Sequence, residues 1–199
     1  MKRHDLKEIF DRALKESGCI RVGITGSHRV GKTVLAKKLA NIFGFTYVPE
    51  FARELINTTG YNWTEGDWYV TYFEEAIFAC YNFVHRYLSD TSQGFITDRT
   101  FLDIAAYCLW HILKGKALED DRFLAFYGKL INTLRDSAHW YDIVLFYRTE
   151  GLDVDSCQAF IDAAIQEFIS QYWGNTDVVV VEICRGDELR VASNKYIGV

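Results

Sequence analysis

The chain has 199 residues, 49% hydrophobic and 25% charged, and 22 Lys and Arg against 27 Asp and Glu give a formal charge of -5. These proportions fit one folded domain with its own core, exclude a disordered chain, and disfavour a general grip on a nucleic-acid backbone. No apolar run reaches the ~18 residues of a membrane span, and the charged start MKRHDLKEIFDR lacks the apolar centre of a signal peptide, so a cytoplasmic protein with no membrane partner is expected.

Taken in chain order, Asp5 to Ser17 carries Leu6, Ile9, Phe10, Ala13 and Leu14 at helical spacing and stops at Gly18. Residues Cys19 to Thr25 are β-prone and run into a glycine turn. A helix is expected over Lys32 to Phe43, and a strand over Phe45 to Val48, closed by Pro49, the single proline of the chain. An aromatic-rich helical stretch follows over Thr64 to Leu88, then a short strand at Phe95 to Thr97. Two helices are expected at Phe101 to Leu113 and Asp120 to Arg135, a strand at Asp142 to Tyr147, a helix at Ser156 to Trp173, and a β-branched strand at Val178 to Ile183. Strands alternating with helices predict a single α/β domain over 1–199, a three-layer α/β/α sandwich around a mainly parallel five-stranded sheet. The five cysteines are scattered, with no metal spacing, and are expected to be reduced thiols. His28, His85, His111 and His139 show no partner pattern and are expected to be structural or solvent-facing.

The sharpest signal is Gly26-Ser27-His28-Arg29-Val30-Gly31-Lys32-Thr33, which fits G-x-x-x-x-G-K-[ST] between a β-run and an amphipathic helix. The glycines let successive N–H groups turn inward on phosphate oxygens, and the helix start adds its positive dipole end. Lys32 is expected to reach the outer phosphates and the Thr33 hydroxyl to ligate Mg²⁺, so ATP and Mg²⁺ are the expected cofactors, held by residues Gly26 to Val34. A GTPase would need N-K-x-D, and the one similar string, Asn194-Lys195-Tyr196-Ile197, lacks the Asp. A helicase or transporter would need a strand ending Asp-Glu, and the third strand ends instead in Thr97-Asp98-Arg99-Thr100.

With GSHRVGKT, VPEFARE at Val48 to Glu54 and TDRTFLD at Thr97 to Asp103, the chain resembles the P-loop nucleoside and nucleotide kinases. The second motif is similar to the Pro-Glu segment of deoxynucleoside kinases and of the nicotinamide-riboside kinase domain of NadR-type proteins. The third is similar to the acid-Arg segments of deoxynucleoside and thymidylate kinases. The resemblance implies a P-loop fold with Glu50 accepting the proton of a substrate hydroxyl. The strand ends independently bring Gly26, Glu50 and Asp98 toward one crevice, with Asp98 facing Thr33 in the Mg²⁺ shell. Arg53 and Arg99 could hold a substrate anion or the transferring phosphoryl group, although Glu50–Arg53 as a local ion pair and Asp98 as a helix cap remain open alternatives.

Related kinases carry a basic lid after the fourth strand, whereas the matching stretch here, 148–156, is acidic and Arg148 is its only basic residue. Arg29 stands within the loop where one class of thymidylate kinases has a phosphate-contacting arginine. The resemblance thus implies Arg29 as charge stabiliser, with Arg148 as helper; a solvent-pointing Arg29 is the open alternative. The stretch 61–90 is expected to build the substrate side, with Trp63 and Trp68 stacking on a base and Tyr69, Phe73, Ile77 and Val84 forming a buried helix face. The expected activity is transfer of the γ-phosphoryl group of MgATP to a hydroxyl or phosphate of a nucleoside, nucleotide or related small molecule. A kinase acting on nucleic acid is the less favoured alternative, an ATP-binding interaction module with weak turnover is another, and a homodimer is left open.

Overall fold

The computed structural model describes residues 6–60, 69–89, 93–115 and 120–183. In chain order these form α1 (Leu6–Ser17), β1 (Arg21–Gly26), α2 (Lys32–Phe43), β2 (Thr46–Val48), α3 (Phe51–Thr59), α4 (Tyr69–Ser89), β3 (Phe95–Asp98), α5 (Phe101–Leu113), α6 (Asp121–Ser137), β4 (Ile143–Tyr147), α7 (Ser156–Phe168) and β5 (Val179–Ile183). The sheet has five strands in the order β2-β3-β1-β4-β5, and every pairing is parallel. The expected sandwich is therefore present, and the sheet is wholly parallel rather than mainly so.

Side chains alternate across the sheet with the strand period of two. On β4, Ile143 and Leu145 join Phe10 of α1 and Ala36, Leu39 and Ala40 of α2, whereas Val144 and Phe146 join the aromatic core beneath α4 to α7. The two helical layers thus bury both faces, which is what a parallel sheet requires.

Three local features depart from the sequence expectations. The segment Phe51–Thr59 is a helix of its own, with Glu50 in extended backbone at its N-cap and Gly60 closing it in the left-handed region. The last helix does not run evenly to Trp173. Its final turn, Ile169–Trp173, widens to a π-helix, and Trp173 is fully buried with its indole N–H donating to the Leu134 carbonyl at 2.8 Å. Among the described residues, Ile77 is buried on α4 as expected, while Phe73 and Val84 are only half-buried. The cysteines Cys19, Cys80, Cys108 and Cys157 are free thiols, and no described helix is long and apolar enough to cross a membrane.

Candidate active site

The carboxyl ends of β1 and β3 and the start of α3 converge on a cleft of about 550 Å³ lined by His28, Arg29, Lys32 and Thr33 of the loop, Glu50 and Arg53, Arg99, and side chains of α4 and α5. The loop between β1 and α2 depends on both glycines for different reasons. Gly26 has φ 141°, and a Cβ there would overlap the Tyr147 carbonyl oxygen of β4; Gly31, with φ 111°, has room but needs the left-handed conformation. Arg29 (φ 63°) and Arg99 (φ 97°) are the only described non-glycine residues with positive φ, and both line the cleft.

Lys32 is not the solvent-facing charge that its position in the motif suggests. It is 5% exposed and folds back over the loop, its Nζ donating to the Gly26 carbonyl at 2.7 Å and the Ser27 carbonyl at 2.5 Å. Burial, reinforced by the charge of Arg99, brings its pKa down to about 8. Phosphate oxygens arriving in the loop would replace those carbonyls as acceptors.

Asp98 is fully buried, and its Oδ2 accepts from Thr33 Oγ1 at 2.5 Å and from Tyr47 Oη at 3.4 Å. Burial raises its pKa, an effect the Thr33 bond partly offsets. It is not the helix cap: Thr100 caps α5, accepting from Leu102 N, and Asp103 closes the capping box. Asp98 Oδ1 and Ser27 Oγ are buried without a protein partner. A carboxylate oxygen in want of a partner next to a threonine hydroxyl is a donor set of hard oxygens, so Thr33 and Asp98 fit a magnesium ion held directly or through water.

Glu50 bridges two arginines, accepting from Arg99 Nε at 2.5 Å on Oε1 and from Arg53 Nη2 at 2.9 Å on Oε2. Burial works to raise its pKa, but the charges of Arg99, Lys32 and Arg53 outweigh it and hold the group below the usual carboxylate range. The Glu50–Arg53 pair is thus present but forms part of a larger network. Arg53 stays largely solvent-exposed at the cleft mouth, whereas Arg99 is buried and lies over the Tyr107 ring with its carbon 5.1 Å from the centroid.

Asp103 joins the loop to this network, a role unassigned at the sequence level. It is fully buried and accepts from Thr25 Oγ1 at 2.8 Å, Gly26 N at 3.2 Å, Thr100 N at 2.8 Å and Arg99 Nη1 at 3.3 Å. The T-x-x-D spacing of Thr100 and Asp103 was the available signal.

Of the other predicted residues, Val30 is buried under the loop and Val34 stands exposed at the cleft mouth. His28 is not idle: its Nδ1 lies 2.9 Å from Tyr107 Oη, its Nε2 3.8 Å from Asp155, and its carbonyl accepts from Gln158 Nε2 at 2.9 Å. Arg29 is exposed at the cleft. Arg148, expected as its helper, is instead held by Asp162 at 3.0 Å and Glu182 at 3.4 Å, outside the cleft. Carboxylates of α7 and β5, not the acidic stretch 148–156, hold the arginine there. Trp63 and Trp68 lie outside the described residues.

A protein-family model described as an AAA domain matches residues 21–187. The chain belongs to this AAA domain family. None of the curated protein sequences matches it. In structure this AAA domain is similar to NadR in complex with NAD and AMP-PNP, with a TM-score of 0.63 and 14% identity over 91% of the chain, and to NadR in complex with NR, with 0.64 and 15% over 92%. It spans about half of those two chains, 53% and 54%. It is also similar to deoxyadenosine kinase from M. mycoides with dCMP and dCDP, with a TM-score of 0.58 and 15% identity, covering 81% of this chain and 90% of that one. At such identities the likeness is one of fold, and the fold is that of a P-loop kinase.

The inner end of the cleft in this AAA domain is apolar, walled by Ala52 and Ile56 of α3, Phe73 and Ile77 of α4, and Ile104 of α5. Two polar side chains stand on that inner end: Glu74, missed at the sequence level, and His111, expected to be structural or solvent-facing, which is buried with its Nε2 3.7 Å from Glu74. Glu74 occupies the same helical stripe as Val70, Ile77 and Tyr81, and an acid on a buried stripe was the signal that could have found it. His85, by contrast, is structural as expected, fully buried between the Tyr81 carbonyl at 2.7 Å and Tyr141 Oη at 2.7 Å.

Proposed function

We propose that this chain is a phosphotransferase that moves the γ-phosphoryl group of ATP to a hydroxyl of a nucleoside or a closely related small molecule. The observation that carries the reading is the placing of Glu50 and Lys32 on one cleft, with an apolar compartment between α3, α4 and α5 on the far side of Glu50. That compartment suits a flat ring, and the ligands of the similar structures, NR in one and deoxynucleotides in another, support an acceptor built on a sugar.

The acceptor is a hydroxyl rather than a phosphate because Glu50 is held ionised at the point of attack. A carboxylate repels an acceptor phosphate but accepts a hydrogen bond from an alcohol, aligning it for in-line attack and taking its proton as the new bond forms. Arg99 fixes the Glu50 carboxylate. The backbone N–H groups of the loop and Lys32 bind the phosphates, and Arg29 stabilises charge spreading over the transferring group. When bound at Thr33 and Asp98, magnesium neutralises phosphate charge.

The test is ADP formation with MgATP against nucleosides, nucleoside monophosphates and nicotinamide riboside. Glu50→Gln is expected to lower turnover with the true acceptor by roughly 10²–10⁴-fold while MgATP affinity changes little. Full activity in that variant would remove Glu50 from the chemistry. The second reading, an ATP-binding module with weak turnover, is favoured by the engagement of Arg148 away from the cleft. ADP release that no acceptor accelerates would support it over the kinase.

A further inference from the structure

The inner end of the cleft holds a carboxyl group that the phosphoryl-transfer chemistry does not use. Glu74 is 4% exposed, one and a half turns of helix into α4, and it faces the compartment beyond Glu50. No lysine or arginine among the described residues pairs with it. The nearest fixed cation of the site, Arg99, is already engaged by Glu50 and Asp103, and His111 Nε2 lies 3.7 Å away, a contact rather than a hydrogen bond. Its surroundings are otherwise Phe73, Ile77 and Ile104 on the cleft wall and the Cys108 thiol behind. A carboxylate left in such a place would be a buried charge facing only a thiol and an imidazole beyond hydrogen-bond distance, and burial favours keeping the group protonated.

A protonated carboxyl group offers one donor and one acceptor side by side. That is the complement of the edge of an uncharged nucleobase, where a ring nitrogen or carbonyl lies next to an N–H group. An ionised carboxylate would instead call for two N–H donors side by side or for a ring that carries a permanent positive charge, which would supply the missing partner. The two cases make opposite demands on the proton, so the structure discriminates between substrate classes. We propose that Glu74 reads the base of the acceptor as a neutral carboxylic acid, and that the acceptor is therefore an uncharged nucleoside and not one with a permanently cationic ring. This rests on the nucleoside-kinase reading and sets the specificity of the same cleft.

The protonation state agrees with the surroundings: burial brings the Glu74 pKa up to about 8, with Arg99 and the Cys108 hydrogen bond opposing. The groups around Glu74 are Cys108 and His111 from α5 and Arg99 at the entry to α5, and the Glu50–Arg53 pair of α3 lines the same cleft. Cys108 itself stays a thiol throughout, because burial raises its pKa well above the usual value.

The experiment is steady-state kinetics on the full chain at saturating MgATP, with adenosine, cytidine, guanosine, uridine, their deoxy forms and nicotinamide riboside as acceptors. The wild type is expected to prefer a neutral nucleoside, and its acceptor KM to hold steady up to pH 7 and rise about tenfold by pH 9 as the donor proton is lost. Glu74→Gln, which keeps one donor and one acceptor, is expected to raise KM by about threefold and to flatten that pH profile. Glu74→Leu is expected to raise KM by about 30–100-fold with a smaller change in kcat. Equal losses in Glu74→Gln and Glu74→Leu, or a preference for nicotinamide riboside, would overturn this inference and leave the kinase standing. Failure of every acceptor to bind or react would overturn the kinase reading as well. A melting curve and MgATP titration of each variant separate a misfolded chain from a lost contact, and the wild-type pH profile needs no variant.

Discussion

Replacing Asp103 with asparagine keeps the shape of the side chain and removes its ability to accept at both ends. All of its partners are donors: Thr25 Oγ1, Thr100 N and Thr100 Oγ1 on Oδ2, and Gly26 N and Arg99 Nη1 on Oδ1, at 2.8 to 3.3 Å. An amide can satisfy the donors of one side through its oxygen, while its NH₂ group turns two hydrogens toward those of the other. If the nitrogen faces Gly26 N and Arg99, a buried guanidinium keeps only Glu50 as counter-charge. If it faces Thr25 and Thr100 N, the capping box of α5 opens. Each charge-assisted bond is worth about 1.5–3 kcal/mol, and a stranded buried donor costs about 1–3 kcal/mol. The second orientation is the cheaper one, because the Thr25 hydroxyl can turn and accept from the amide; it gives a destabilisation of about 2–3 kcal/mol, or a fall in Tm of about 7 °C for a chain of this size. Urea unfolding gives the free energy and an ATP titration the second readout, since a loosened link between Asp103 and the loop should weaken MgATP binding by about tenfold. A loss below about 1 kcal/mol with unaltered MgATP affinity would refute the view that Asp103 ties the phosphate loop to β3 and α5.

Arg29→Ala should depress turnover by about 10²–10⁴, corresponding to about 3–5 kcal/mol of transition-state stabilisation, with little change in ATP affinity, and Arg29→Lys should recover only part of it; wild-type turnover in Arg29→Ala would assign that charge elsewhere. Lys32, brought down to about 8 in the free loop, must regain a firm proton when phosphates replace its carbonyl partners. Affinity for MgATP should therefore be flat below pH 7 and fall above pH 8, with proton uptake detectable by calorimetry in two buffers, and an affinity constant to pH 9.5 would contradict this. His85 is buried neutral, its pKa lowered by burial from 6.5 to about 4. The unfolded chain then binds the extra proton first, so stability should decline from pH 6.5 downward, by about 2 kcal/mol at pH 5, in a urea series that His85→Gln makes flatter.

The phosphate loop and the strand that feeds it were legible in the sequence because their signals are local: fixed glycine spacing, a β-branched run, then helical periodicity. Glu50, Asp98 and Arg99 could be brought together because they lie at or just after strand ends, and parallel strands deliver their ends to one edge. The rest depended on contacts between distant segments. That Lys32 is buried, and that Arg148 is taken by Asp162 and Glu182, follows from side-chain rotamers and from pairing across β5 and α7, which no spacing rule encodes. Glu74 and His111 meet only because α4 and α5 pack together, and each taken alone is an ordinary residue on a helix. The helix at Phe51–Thr59 was missed as such because its run between Pro49 and Gly60 is only nine residues long.

The place of β1 in the middle of the sheet has a consequence for how the protein is made. Its neighbours are β3, where Ile24 pairs with Asp98, and β4, where Ile24 pairs with Leu145. On the ribosome the loop sequence emerges early, yet one flank of its strand is unavailable until Phe95–Asp98 has been synthesised and the other until Ile143–Tyr147 has followed. At about 5–20 residues per second, β1 spends several seconds as an unpaired apolar strand, its carbonyls and amides open on both edges. The acidic and basic residues of α1 and α2, which emerge on either side of it, help to keep it in solution during that interval. A nascent chain stalled before β4 would hold the whole phosphate-loop motif and still lack the Tyr147 backbone against which Gly26 packs.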